Sequence, residues 1–456
     1  MSDPSTDELM RSDMKTLIAN GWRSLFLTNI ADLRMSNVDK NSVSGETPVR
    51  LCNYVDVYKN DYITSAIDFM EATATPSEIA RFGIEVGDVM ITKDSETPDD
   101  IGVSSVAVWS ESRLVCGYHL ALFKPDRNQV DPIFLAKQLS LPTVAAYYGR
   151  LASGSTRYGL SNAGIANTPL LLPPLPQQRK IARILTTLDN VITHTEALIA
   201  KYQAIKQGLM HDLFTRGVDT TGKLRPPQSE APELYKQSEL GWIPKEWEAV
   251  RLIEIAEVKG GKRLPAGQPF ANAPTAFPYI RVSDMRDWTI DDSAIEYVPD
   301  HIEPFIRQYK ISCDDLYISI AEVYLGLVGM VPTSLDNAQL TENAAKIVLR
   351  NKEAHSKEFL TAFFHSTLFF CQLEQVKGIG SGVPKLALHR IEAFMVPIPK
   401  RDEQNRIAES LLQIRAVITK ECEAVSKAKD EKTGLMQDLL TGKVPVKADE
   451  PEEITP

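Results

Sequence analysis

The sequence predicts an α+β protein: two globular domains, related by a pseudo-two-fold axis, separated by two long antiparallel helices that form an intramolecular coiled coil. Three observations predict it. The stretch GLMHDLFTRGV at Gly208–Val218 returns as GLMQDLLTGKV at Gly434–Val444, and sliding Gly154 onto Gly380 aligns residues 154–218 with 380–444 without a gap. Roughly a third of the aligned positions are identical, the mark of an internal repeat. Each copy also spaces its apolar residues alternately by four and three over about 40 residues, the period of a coiled-coil seam. Upstream of each helix, finally, the two halves share landmarks and little else.

Taken in chain order, residues 1–20 begin MSDPSTDELMRSDMK, a polar, acidic extension unlike a secretory signal. The first domain, 21–174, opens WRSLFLTNIAD and the second, 246–399, opens WEAVRLIEIAE, sharing W-x4-L-x2-I-A-acid. Each continues with a proline-led apolar strand, TPVRLCNYVDV from Thr47 and FPYIRVSDMRD from Phe277. A turn then leads into a second apolar strand, IEVGDVMITK from Ile84 and ISCDDLYISI from Ile311. PIFLAKQL and KEFLTAFF read as helices, each followed by a Gly/Ser loop and a short apolar strand.

The first spacer helix, 175–217, has its seam at Ile181, Leu185, Leu188, Ile192, Ile199, Leu209 and Leu213. The second, 400–442, repeats that register at Ile407, Leu411, Ile414, Ile418, Val425, Leu435 and Leu439. Polar rungs recur at Thr195/Glu421 and Lys206/Lys432, where they could fix register at some cost in stability. Pro173, Pro174 and Pro176 bar any helix from running in, Asp402 is a plausible cap for the second helix, and Gly217 and Gly442 stand where the helices should stop. Residues 218–245 read as a polar, proline-punctuated linker, and 443–456 as a disordered acidic tail.

Composition bounds the function. The chain has 456 residues, is 43% hydrophobic and 24% charged, and carries a formal net charge of −10. Its five cysteines are scattered, with no C-x-x-C pair, and read as reduced thiols of a cytoplasmic protein. No apolar run approaches a membrane span. Phosphate-loop and dinucleotide-binding patterns are missing, as is an N-P-P-aromatic sequence for holding a flipped base. The seven histidines show no metal-ligand spacing, and paired acids such as Asp99–Asp100, Asp291–Asp292 and Asp314–Asp315 fall in turns. The chain is expected to bind without catalysing.

Two bodies of one frame but different surfaces, held apart by rigid rods, suit a reader of two unlike sites on one linear target. Here a family resemblance enters. LPPLPQQRKIARILTTLD, SELGWIPKEWE and VPIPKRDEQNRIAESL, with the two GLM motifs, resemble the spacer regions of the specificity (S) subunit of Type I restriction–modification systems. The likeness runs from about Gly21 to near the end; the first copy departs mildly, with Gln177–Gln178 where the second has Glu403–Gln404. The resemblance implies two target-recognition domains that read an asymmetric, bipartite site in double-stranded DNA. It implies a helical pair that sets the gap and docks two methyltransferase (M) subunits, and through them restriction (R) subunits. S-adenosylmethionine, ATP and Mg would then sit on those partners, with no cofactor or metal on this chain.

Arg, Lys, Asn, Ser and Tyr in loops are the residues that contact bases and phosphates. The first domain offers Arg50, Asn53, Tyr54, Arg157 and Tyr158; the second offers Lys262, Arg263, Arg281, Ser283, Arg286, Lys377 and Lys385. Any one of these could instead be an ordinary solvated charge. Neither domain is basic by count, so the chain alone is expected to bind DNA weakly. A two-headed adaptor for proteins or glycans is the alternative, and it predicts no sequence preference; a nuclease or methyltransferase with unrecognised motifs is a weaker third.

Overall fold

The computed structural model describes residues 17–18, 21–321, 324–376 and 385–448. The chain divides into two compact units, Met1–Glu196 with Glu423–Pro456, and Ala197–Cys422. The first long helix spans Leu175–Thr215 and the second Arg401–Leu440, so each unit holds one body and a segment of both helices.

In the first unit the opening strand Arg23–Phe26 pairs antiparallel with Pro169–Leu172, closing the body just before the helix begins. Its main sheet has five strands, in the order Ala31–Met35, Leu120–Pro125, Val89–Thr92, Ser104–Ala107, Tyr62–Ile63. Alternation along Leu120–Phe123 sorts side chains to two cores. Leu120 and Leu122 join a core with Val49, Leu51 and Val115. Ala121 and Phe123 face another that takes in Ile181, Ala182 and Leu185 of the first helix and Leu439 and Leu440 of the second. The second unit repeats the scheme: Glu248–Arg251 pairs with Met395–Ile398, and Leu316 and Ile318 of a four-stranded sheet share a core with Met210, Leu213, Phe214, Ile407 and Leu411.

Within each unit the helix segments run antiparallel. Lys429 Nζ meets Glu196 Oε1 at 2.6 Å in the first unit, and Glu403 Oε1 accepts from the Val218 amide at 2.9 Å in the second. Of the expected seam, Ile181, Leu185, Ile192, Leu213, Ile407, Leu411, Val425 and Leu439 are buried, and Leu188, Ile199, Leu209, Ile414, Ile418 and Leu435 are half-buried. The departure from a simple coiled coil is that the outer rungs serve the body cores. Gly217 (φ +63°) and Gly442 (φ +74°) do follow the helix ends, and there the sharp turn needs glycine.

Two expectations need correcting. Asp402 lies inside the first turn of its helix, where its charge suits the dipole, and does not precede it as a cap. Residues 218–245 are no free linker: Tyr235 and Ile243 are buried, Tyr235–Ser238 and Gly241–Pro244 form a hairpin, and Arg225 binds Glu403. Ile243 and Tyr235 bring enough apolar surface to hold a stretch whose composition is otherwise polar. The acidic end from residue 449 lies outside the described residues.

Buried glutamines clasp each helix start. Gln178 Nε2 donates to the Pro173 and Gln129 carbonyls at 2.8 and 3.1 Å, and its Oε1 accepts from the Asp131 amide at 2.9 Å. Gln404 does the same with Pro399 (2.9 Å), Ala354 (3.0 Å) and the Ser356 amide (2.8 Å). Asp131 and Ser356 in turn cap the helices Pro132–Leu139 and Lys357–Phe363.

Away from the clasps, each body meets its helix segments through a polar seat. In the first unit Lys137 Nζ lies 2.7 Å from Asp61 Oδ2 and 2.8 Å from Asp189 Oδ2. Lys432 Nζ lies 2.9 Å from Asp61 Oδ2 and 2.6 Å from Asp189 Oδ1. The Tyr62 hydroxyl donates to Asp189 at 2.6 Å, and its ring faces Lys137 Nζ at 4.8 Å. Burial opposes the Asp61 charge, but Lys137 and Lys432 hold its pKa down to about 2.

In the second unit Trp288, at the left-handed φ of +73°, is sandwiched. His365 stacks on it with ring centroids 5.1 Å apart, and the Arg415 guanidinium lies 5.3 Å from its centroid. Arg415 Nη2 also donates to the Asp287 carbonyl at 3.1 Å. A bulky residue at positive φ costs about 1–2 kcal/mol, which the two flanking cation and imidazole contacts offset.

His365 makes this seat sensitive to acid. Though its edge reaches solvent, burial pushes its pKa down to about 4, against the pull of Asp287. An unfolded histidine titrates near 6.5, so on acidification the unfolded chain takes up the proton first; the stabilisation is whole above about pH 6.5 and lost on the way to about 4. Urea unfolding of the parent should therefore lose about 2 kcal/mol more between pH 7.5 and 4.5 than His365→Phe does. Equal losses would show that the imidazole stays out of the acid response.

Candidate nucleic-acid interface

The first body gathers a cleft of about 730 Å³. Strand Thr47–Cys52 lies between Met70–Ala74 and Leu114–Cys116, and it delivers Asn53 to the start of the short helix Tyr54–Lys59. The Asn53 amide donates to Asp56 Oδ2 at 2.7 Å, fixing that start. Tyr54 stacks on Tyr58 with centroids 5.5 Å apart, and the Tyr58 hydroxyl donates to Asp100 Oδ2 at 2.9 Å. Pairing of Tyr158–Gly159 with Asp94–Ser95 brings the loop bearing Arg157 to the same rim. Gly154, at φ +150°, shapes that loop: a Cβ there would strike the Arg157 carbonyl oxygen.

Chemically, the cleft stacks and accepts. Asp56, Asp68, Asp94, Glu96 and Asp100 face it against Lys40 and Arg157, so its field repels phosphate and favours hydrogen-bond donors. Carboxylates accept from exocyclic amino groups of bases, and tyrosine and arginine planes offer stacking faces. His119 Nδ1 lies 2.9 Å from Asp94 Oδ2, and Lys93 Nζ is 3.5 Å from the same oxygen. The Tyr54 phenol is pushed up by burial and by Asp100 and Glu96, with Ser95 and Arg157 opposing, so it remains a donor.

The structure thus brings Asn53, Tyr54 and Arg157 together. Arg50 stands behind them, 3.2 Å from Glu111 and 5.2 Å from the centroid of Phe69, itself a lining residue. Tyr158 serves the strand that holds the loop. Tyr58, Asp94, Asp100 and His119 also line the cleft, and no local motif marks them, because only strand pairing across long separations assembles them.

The second body places its candidates more diffusely. Lys262 and Arg263 are exposed after strand Ala256–Gly260, with the Lys262 amide donating to Leu340 O at 2.7 Å and its carbonyl accepting from the Tyr279 hydroxyl at 3.1 Å. Arg281 is spent internally: its guanidinium lies 2.7 Å from Asp284 Oδ1 and 2.9 Å from Glu296 Oε1, and it donates to Ala294 O at 2.7 Å. Its expected base contact would require breaking those ion pairs. Ser283 is exposed, Arg286 is held by Asp291 at 3.0 Å while half its side chain remains accessible, and Lys385 is exposed beside a bridge to Ala321. Lys377 lies outside the described residues.

Comparison with known proteins supplies the remaining finding. The family model for the Type I restriction modification DNA specificity domain matches residues 38–205 and again 244–425. The specificity subunit of the type I restriction enzyme MjaVIII from Methanocaldococcus jannaschii is 26% identical over 287 residues, 62% of this chain and 63% of that subunit. The match thus spans less than two thirds of that relative. A type I restriction–modification S subunit from M. genitalium has the same fold at a TM-score of 0.57 and 15% identity, over 92% of this chain and 96% of that one. A chain solved in work on complex assembly and conformational transition of the type I R-M system gives 0.51 at 17% identity, over 93% and 98%.

Proposed function

This chain belongs to the Type I restriction–modification DNA specificity family, and from that premise we propose that it reads the two halves of an asymmetric, bipartite DNA site and scaffolds the subunits that act there. The observation that carries this is the double match: one chain holds two specificity domains, and their candidate contact surfaces differ. The first body reads its half through the cleft of Tyr54 and Arg157. The second reads its half with Lys262, Arg263 and Arg286. The long helices set the number of unread bases between the halves and dock two methyltransferase subunits, and restriction subunits join through these. S-adenosylmethionine, ATP and Mg are held by the partners, the chain performs no chemical step, and the complex works in the cytoplasm.

Methylation mapping tests this in cells that carry the chain with its methyltransferase partner. Replacing residues 21–153 by the corresponding stretch of a relative with another preference should change one half of the methylated sequence and leave the other half and the gap intact. Arg157→Ala alone should relax that same half, with a loss of about 1–3 kcal/mol in discrimination at one base. Methylation without sequence preference, or a change in both halves, would refute the assignment.

A further inference from the structure

The two seats occupy equivalent places in the repeat yet carry different chemistry. The alignment that puts Gly154 on Gly380 also puts Asp189 on Arg415 and Lys206 on Lys432, and against these helix positions the two bodies set Asp61–Tyr62 and Asp287–Trp288 respectively. An aspartate followed by an aromatic residue is therefore common to both bodies, and so is a helix lysine near that aspartate. Asp61 meets Lys432 at 2.9 Å, and Asp287 acts on Lys206, opposing the burial and the Arg415 charge that depress that ammonium. The remaining pair differs. Asp189 of the first seat is answered by the body's Lys137, whereas Arg415 of the second is answered by the face of Trp288. Matching Phe134–Leu135 to Phe359–Leu360 sets Ala362 where the first body has Lys137.

We propose that these seats form a positional code: Lys137 with Asp189, and Ala362 with Arg415, let each body settle on the helix segments of its own half and refuse the equivalent segments of the other. Lys137 and Asp189 act by positioning: both are buried, at 2% and 7% exposed. The charges explain the refusal. The first seat balances two lysines with two aspartates, Lys137 and Asp189 buried within it and Asp61 and Lys432 at its open edge. Set on the second half's segments, the first body would crowd Lys137, Lys206 and Arg415 around Asp61 alone. Set on the first half's segments, the second body would leave Asp287 and Asp189 sharing Lys432. A buried charge without its partner is among the costliest defects a fold can carry.

The test copies one seat into the other, in the full chain, and reads thermal unfolding. Asp189→Arg should lower Tm by about 10 °C. Adding Lys137→Ala, which completes the pattern of the second seat, should recover most of that fall even though Lys137→Ala alone lowers Tm. A silent Asp189→Arg, or a double variant no better than it, overturns the code. Transplantation gives a second reading: a chain carrying residues 21–174 in place of 246–399 should gain folded yield from Arg415→Asp, a change that lowers Tm in the parent. A chimera that Arg415→Asp harms or leaves insoluble also overturns the proposal.

Discussion

Glu403→Ala should destabilise the second unit by about 3–5 kcal/mol, the cost of stranding a buried charge. Glu403 is 4% exposed and holds the Arg225 guanidinium bidentately, at 2.5 and 3.0 Å, while accepting from the Val218 amide at 2.9 Å. Its removal leaves the guanidinium, whose side chain is 12% exposed, with the more distant Glu246 carboxylate at 3.5 Å and the Arg216 carbonyl at 3.2 Å, and costs the amide its acceptor. Glu403→Gln keeps a carbonyl oxygen for the amide and should lose less. The equivalent residue of the first copy is Gln177, which carries no charge to pair, and Gln177→Ala should stay within about 1 kcal/mol of the parent. Urea unfolding of the three variants checks this. Equal losses for Glu403→Ala and Gln177→Ala would show that the ion pair adds nothing.

Trp247→Ala should cost about as much, 3–5 kcal/mol, through a cavity and not a charge. Trp247 is fully buried among Phe214, Met210, Ile243 and Leu411, where the first helix ends and the second begins. Its ring stands in the way of Gly217, whose added Cβ would come 2.5 Å from Trp247 Cζ2. The indole nitrogen finds no acceptor among the described residues. Trp247→Phe therefore sacrifices no hydrogen bond and should lose clearly less than the alanine variant. Chemical denaturation distinguishes them; a phenylalanine variant as weak as the alanine would mean that ring volume is not what the site requires.

Much of the frame was legible because its signals are local. Heptad spacing, the glycines after each helix and the proline-led strands each depend on a few neighbouring residues. Trp22 and Trp247, shared landmarks in the sequence, do pack on Gly442 and Gly217. The reading surface was less legible because charge patterns do not tell which cations are already engaged. Arg281 looks free in the sequence, yet Asp284, three residues on, and Glu296 hold it. Lys137, the one charge in the apolar run PIFLAKQL, is 2% exposed, a burial that its neighbours in the chain do not announce. The repeat held a clue in the aspartate–aromatic pairs at Asp61–Tyr62 and Asp287–Trp288, which stand out only once their helix partners are known.

The glutamine clasps have an evolutionary consequence. Beyond the helix start, Gln178 grips the Gln129 carbonyl and the Asp131 amide, and Gln404 the Ala354 carbonyl and the Ser356 amide, all main-chain atoms. A grip on the peptide backbone is indifferent to side-chain identity. Mutations can accumulate over the outer face of either body, generation after generation, without loosening the joint that carries it, so new preferences can arise while the mounting is inherited unchanged.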